Sequence, residues 1–187
     1  MAAYQKEGVL KDGTRVILRP LAKEDREKLL DFFRRVNEQD LMFLRSDVRD
    51  PAVIEDWVSH IDYRRVYPLL AEVEGRIVGD ATLHMRKVGW KRHLGNVRVV
   101  VADDFQNRGL GTLLVNEIVE LAAEFGLEKL VAELNLQSQS ALALFKRAGF
   151  SVKAVFEDLV QDQAGNRGDL VVMVCDVQGR DRRAAGG

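Results

Sequence analysis

Between Asn96 and Phe125 the chain reads as a β-branched run, Asn96-Val-Arg-Val-Val-Val101, then a polar stretch with two glycines, Gln106-Asn-Arg-Gly-Leu-Gly111. Apolar residues at helical spacing follow: Leu110, Leu113, Leu114, Ile118, Leu121, Ala122 and Phe125. A strand that turns through glycines straight into an amphipathic helix near Gly109 restricts the chain to a layered α/β architecture. The same placement makes an anion site. N–H groups at a helix start have no partner within the helix, the helix dipole adds roughly half a positive charge, and glycines let a phosphate approach the backbone. Arg108 and Thr112 are expected to add side-chain donors, and Gly126 is placed to cap the helix's far end. The loop has neither the Gly-Lys-Ser/Thr of a Walker loop nor the third glycine of a dinucleotide fingerprint, which argues against an ATPase or a dehydrogenase. Two glycines so spaced also serve as plain backbone punctuation, so the loop takes its meaning from its surroundings.

Those surroundings alternate strands and helices. Arg15–Pro20 reads as a strand and 22–36 as a helix carrying Leu29, Leu30, Phe33 and Val36. Asp50-Pro51 opens a second helix that runs to Ile61. Pro68–Val73 and Arg76–Met85 flank Glu74-Gly75 as a hairpin, and a basic loop, 86–95, follows. Lys129–Leu134 is a further strand. Ser138 is expected to cap the helix 139–147, which Gly149 stops. Ser151–Val160 and Asp169–Val177 bracket a turn-rich stretch, 162–168, as a closing hairpin. Residues 179–187 read as a mobile tail behind one domain, 1–178. With no repeat or linker, this predicts one mixed α/β sheet with helices on both faces.

Composition narrows the partners. In 187 residues, 28 Lys and Arg nearly cancel 29 Asp and Glu, which speaks against a general nucleic-acid binder. The single cysteine, Cys175, lies in an apolar run and is expected to be a buried small hydrophobe, with no disulfide framework and no metal site. No stretch approaches the roughly 20 apolar residues that span a bilayer, and the N-terminus lacks a signal-peptide core, so a cytoplasmic protein without a membrane partner is expected.

Val99-Val-Val-Ala-Asp-Asp-Phe-Gln106-Asn-Arg-Gly109-Leu-Gly111-Thr-Leu-Leu114 resembles the acetyl-CoA motif of the GNAT N-acetyltransferase family, Gln/Arg-x-x-Gly-x-Gly/Ala. Downstream, Ser138-Gln-Ser-Ala141-Leu-Ala-Leu-Phe145-Lys-Arg-Ala-Gly149-Phe150 is similar to that family's second cofactor motif, Asn-x-x-Ala-x-x-Leu-Tyr-x-x-x-Gly-Phe. The order of elements follows the family over roughly residues 14 to 177. Ile17-Leu-Arg-Pro20, Phe43-Leu-Arg45 and His60-Ile-Asp-Tyr-Arg-Arg65 resemble the GNAT domain of Pat-type bacterial protein lysine acetyltransferases. The resemblance implies the GNAT acyl-CoA N-acyltransferase fold, with a mixed sheet of about seven strands. It implies acetyl-CoA as cosubstrate, its pantetheine on the backbone of Val99 and Val101 where that strand splays from its neighbour near Leu134. The pyrophosphate would lie on Gln106, Asn107, Arg108, Gly109, Gly111 and Thr112, with Ser138 and Phe145 also at the cofactor. A backbone N–H near Val101 would stabilise the oxyanion as an amine attacks.

The acceptor amine, on a small molecule or a protein lysine, must lose a proton first, since an ammonium of pKa about 10.4 is not nucleophilic. Here the sequence departs from the family. Asn96 stands where many members place a glutamate base, Ser138 replaces the motif asparagine, and Phe145 replaces the tyrosine proposed as acid. A thiol of pKa about 8.5 leaves readily without an acid, so the missing base matters more. Asn96 could orient a water, and His84, late in the preceding strand, is the nearest alternative base. Ordinary strand and loop roles remain open for His84, for His93 and Trp90 in the basic loop, and for Glu72 and Glu133. Asp62 and Tyr63 are expected near the acceptor channel. A non-catalytic acyl-CoA sensor stays open as the alternative to an enzyme, and a homodimer is left open.

Overall fold

The computed structural model describes residues 4–37, 41, 47–162 and 165–178, so Phe43–Arg45 and the tail 179–187 lie outside it. Its elements in chain order are β1 Lys6–Val9, β2 Arg15–Pro20, α1 Arg26–Arg35, α2 Pro51–Ser59, β3 Val66–Val73, β4 Arg76–Met85 and β5 Leu94–Val101. They continue with α3 Leu110–Glu124, β6 Lys129–Asn135, α4 Gln139–Arg147, β7 Ser151–Gln161 and β8 Arg167–Asp176. The eight strands form a mixed sheet in the order β1-β2-β3-β4-β5-β6-β8-β7. Two compact units are distinguished, Met1–Thr82 with Val99–Leu114 and Leu83–Arg98 with Val115–Gly187, and the chain passes between them within β4, β5 and α3.

In the first unit β2 pairs antiparallel with β1 and β3. Alternation puts Val16, Leu18 and Pro20 of β2 inside. A short 3-10 turn, Lys23–Asp25, leads into α1, so the helix proper starts later than the predicted residue 22. Asp50 caps α2 by accepting from the Ala52 N–H at 2.9 Å, with Pro51 in the first turn, as the sequence predicts. Leu29, Leu30, Phe32 and Phe33 of α1 and Ile54 and Val58 of α2 form one buried cluster with Leu70, Ile77, Val100 and Ala102. Ala71, which points to the opposite face of β3 from Leu70, stands beside Gly79 where Leu110 and Leu114 of α3 press down. Helices therefore cover both faces. At the β3–β4 hairpin, Glu74 and Gly75 have φ of 50° and 80°, the paired left-handed residues of a tight I′ turn.

In the second unit β5 runs parallel to β6, with Leu94 to Val97 opposite Lys129 to Ala132, and β6 and β7 both pair antiparallel with β8. A methyl group on Gly95 would lie 2.7–2.9 Å from Leu83, Leu130 and Leu127, so no larger residue fits there without displacement. α3 and α4 both end on the predicted glycines, with Leu127 N–H donating to Ala122 and Phe150 N–H to Phe145. Cys175 is buried, as expected.

Two expectations change. The strand count is eight rather than about seven because β1 was not foreseen. Three of its four residues are exposed, which leaves no apolar alternation to read. Ser138 does occupy the N-cap position of α4, but its hydroxyl makes no capping hydrogen bond. Among the described residues no helix is long and apolar enough to cross a membrane.

Candidate donor and acceptor site

β5 ends at Val101, where the Ala102 N–H donates to the Val78 carbonyl at 2.9 Å and a 3-10 turn, Asp103–Phe105, redirects the chain. The loop that follows takes two residues into the left-handed region, Asn107 at φ 59° and Gly109 at φ 91°. The first turn of α3 closes with the Leu113 N–H on the Gly109 carbonyl at 3.1 Å, so the amides of Leu110, Gly111 and Thr112 precede the first helical bond. Gln106 folds its amide back toward the Val101 carbonyl and the Asp103 carboxylate, each at 3.4 Å. Asp103 accepts from Asn37 at 2.9 Å, and Asp104 lies 4.0 Å from Arg35 and 3.7 Å from Arg76, which offsets the negative charge Asp104 brings to the loop. Gly111 and Thr112 are half-buried in the first turn of α3. The result is a cradle of outward amides at a helix start.

Arg108 departs from expectation. Its guanidinium turns away from a free-donor role and pairs with the Asp12 carboxylate, donates to the Thr14 hydroxyl at 2.8 Å and lies 4.4 Å over the Phe105 ring. What remains at the loop is backbone, beside the aliphatic stem of Lys11, whose Cγ lies 3.3 Å from where a Cβ on Gly109 would be.

On β5, Val99, Val101 and Asn96 are half-buried while Val97 and Val100 are buried. Because Gly95 faces Leu83, Leu127 and Leu130, alternation puts Asn96 and His84, the next residue on each of two neighbouring strands, on the opposite face. Phe145 is only 3% exposed and meets Phe150 edge-on with ring centroids 5.0 Å apart. Ser138 and Phe145 thus belong to α4 and the second unit, while the whole of 106–112 belongs to the first.

Other candidates find structural partners. Arg19 holds Asp25 through paired bonds of 2.6 and 2.7 Å and also donates to Glu72 at 3.1 Å. Burial works to raise the Glu72 pKa, but the bonds and charge of Arg19, with Lys28, outweigh it and hold Glu72 low. The Tyr63 hydroxyl donates to the Leu21 carbonyl at 2.6 Å, and Asp62 shapes the adjoining turn by accepting from the Arg64 N–H at 3.0 Å. Glu133 is exposed on β6. In the basic loop, Trp90 is 84% exposed with the Lys91 ammonium 5.4 Å from its ring.

Sequence reading missed three buried acids, Asp25 beside Arg19 and two others. Asp80 on β4 is 7% exposed and accepts the Thr82 hydroxyl at 3.1 Å, and burial pushes its pKa up to about 7. Glu117 on α3 is pushed to about 7 by burial, then by Glu120 and Glu124. An acid inside the apolar run Ile77-Val-Gly-Asp-Ala-Thr-Leu83 was the available signal for Asp80.

Comparison with known proteins brings these features together. The profile of the acetyltransferase (GNAT) family matches residues 27–150. An acetyltransferase of Pseudomonas aeruginosa is 29% identical over 131 residues, 65% of this chain and 67% of that protein. The crystal structure of the GNAT domain of S. lividans PAT superposes with a TM-score of 0.79 at 23% identity, covering 94% of this chain and 98% of that one. A Salmonella typhimurium structure, yncA, a putative acetyltransferase with its cofactor acetyl-CoA, gives a TM-score of 0.72 at 18% identity over 87% of this chain and 94% of that one.

Proposed function

Because the chain belongs to the acetyltransferase (GNAT) family, we infer that it uses acetyl-CoA as acyl donor and transfers the acetyl group directly to an amine. The observation that carries this reading is the start of α3, where three amides that precede the first helical bond, with no partner among the described residues, follow the left-handed Gly109. That donor set suits a pyrophosphate: N–H groups converge on an anion at the positive end of a 15-residue helix. The Arg108 side chain is left out of the set, so the contact is made by backbone, with Gln106, Asn107 and Thr112 at its edges. The donor's carbonyl would meet the main-chain N–H near Val101, and the exposed edges of Val99 and Val101 would hold the pantetheine amides.

For the acceptor, the chain's own task is to take up a proton. Asn96 carries no acid of its own, which favours a water held by its amide, with His84 on the same face of the neighbouring strand as terminal base. The acceptor is a small amine or a protein lysine; likeness to a protein acetyltransferase domain favours the second. The reading takes 1–178 as one domain acting in the cytoplasm and requires no nucleic acid or membrane. A sensor that binds acyl-CoA without turnover is the second reading, favoured by Asn96 in place of an acid and by Phe145, which has no hydroxyl.

Calorimetric titration with acetyl-CoA tests the loop. Gly111→Leu and Gly109→Val, each checked for folding by circular dichroism, should lose binding, and a folded variant that keeps wild-type affinity would remove the loop from the reading.

A further inference from the structure

The turn between β1 and β2, residues 10–14, is fastened to the 106–112 loop at several points. The Lys11 N–H donates to the Arg108 carbonyl at 3.1 Å, and Arg108 donates through Nε and Nη2 to Asp12 and through Nη2 to Thr14 at 2.8 Å. Nη1 reaches the Asp104 carbonyl at 3.3 Å, while the face of the guanidinium covers Phe105. Asp12 is itself oriented by the Thr14 N–H at 3.0 Å. Arg108 is therefore held by main chain and side chain together, and it sits between Asn107 and Gly109, the two left-handed residues. Asparagine and glycine both enter that region readily, so their φ values permit the loop's shape and the contacts of Arg108 select it. An exposed ion pair adds little to global stability, so the effect of this one is local.

We propose that Asp12 is a positioning residue for donor binding: acting through Arg108, it locks 106–112 in the conformation that presents the amides of Leu110 to Thr112. It also keeps the Arg108 guanidinium away from the phosphates. The proposal rests on the reading that those amides receive the donor. The hydrogen bond from the Thr14 main chain, then its hydroxyl, holds the Asp12 pKa at about 2, with Arg108 adding to the effect, so the latch stays ionised at neutral and mildly acidic pH.

Hydrogen exchange on the free protein and acetyl-CoA titration test it together. Asp12→Asn and Asp12→Ala should speed exchange across 106–113 by about fivefold or more with the rest of the chain unchanged, because local opening sets exchange rates. They should weaken acetyl-CoA binding about five- to tenfold, or raise its KM with kcat within twofold. In an Arg108→Ala background the Asp12 substitution should add nothing, since it acts through that residue. Unchanged exchange overturns the proposal, as does equal or tighter donor binding, the result expected if a freed Arg108 reaches the phosphates itself. Failure of the donor reading looks different: the wild type binds no acetyl-CoA, which removes donor binding as the latch's purpose, and exchange alone then decides whether Asp12 holds the loop.

Discussion

Asp80 is a buried carboxyl group that accepts from the Thr82 hydroxyl, and its pKa, raised to about 7, has a consequence for stability. Below about pH 3 it is protonated whether the chain is folded or not. As pH rises the unfolded chain releases the proton first, so folding is progressively disfavoured up to about pH 7, on the order of a few kcal/mol in all. Asp80→Asn should thus raise the melting temperature at pH 8 and change it little at pH 4; an equal change at both would show that the acid is not held neutral. His84 carries the second residue-scale prediction. His84→Ala should lower kcat/KM and remove an inflection near pH 6 to 7, and Asn96→Glu should preserve or raise activity. An unchanged pH profile in His84→Ala would eliminate it as base. The loop was legible as a strand-to-helix turn only through its surroundings, a β-branched run before it and an amphipathic helix after it, since two glycines so spaced also serve as backbone punctuation. Neither Arg108's partner, 96 residues away, nor the Arg19–Glu72 contact, across 53, leaves any local trace in sequence.

At the scale of elements, the strand, glycine loop and helix of 96–125 could be read directly, since a period of two gives way to one of 3.6 across a short polar gap. β1 could not, because an exposed edge strand has no buried face to pattern it. Close approach is likewise invisible in sequence. Gly95 is where β5 meets Leu83, Leu127 and Leu130, and even one methyl group would come within 2.9 Å of all three. Gly95→Ala should cost about 1–3 kcal/mol, seen as a lower denaturation midpoint with an unchanged slope. A midpoint equal to wild type would mean that the three leucines yield without strain.

For the whole molecule, family membership fixes the fold, and the departures at Asn96 and Phe145 raise the question of turnover. Phe145 sits edge-on to Phe150 inside the second unit, so a hydroxyl placed there enters an apolar contact. Direct transfer needs donor, acceptor and a route for the proton, whereas a sensor needs only the donor. Incubating the wild type with acetyl-CoA and a panel of small amines and lysine peptides, while following thiol release and product mass, separates them most directly. At least one amine should gain an acetyl group in step with released thiol, faster at pH 8 than at pH 6. Tight acetyl-CoA binding with no acetylated product from any amine would contradict the transferase claim and leave the sensor.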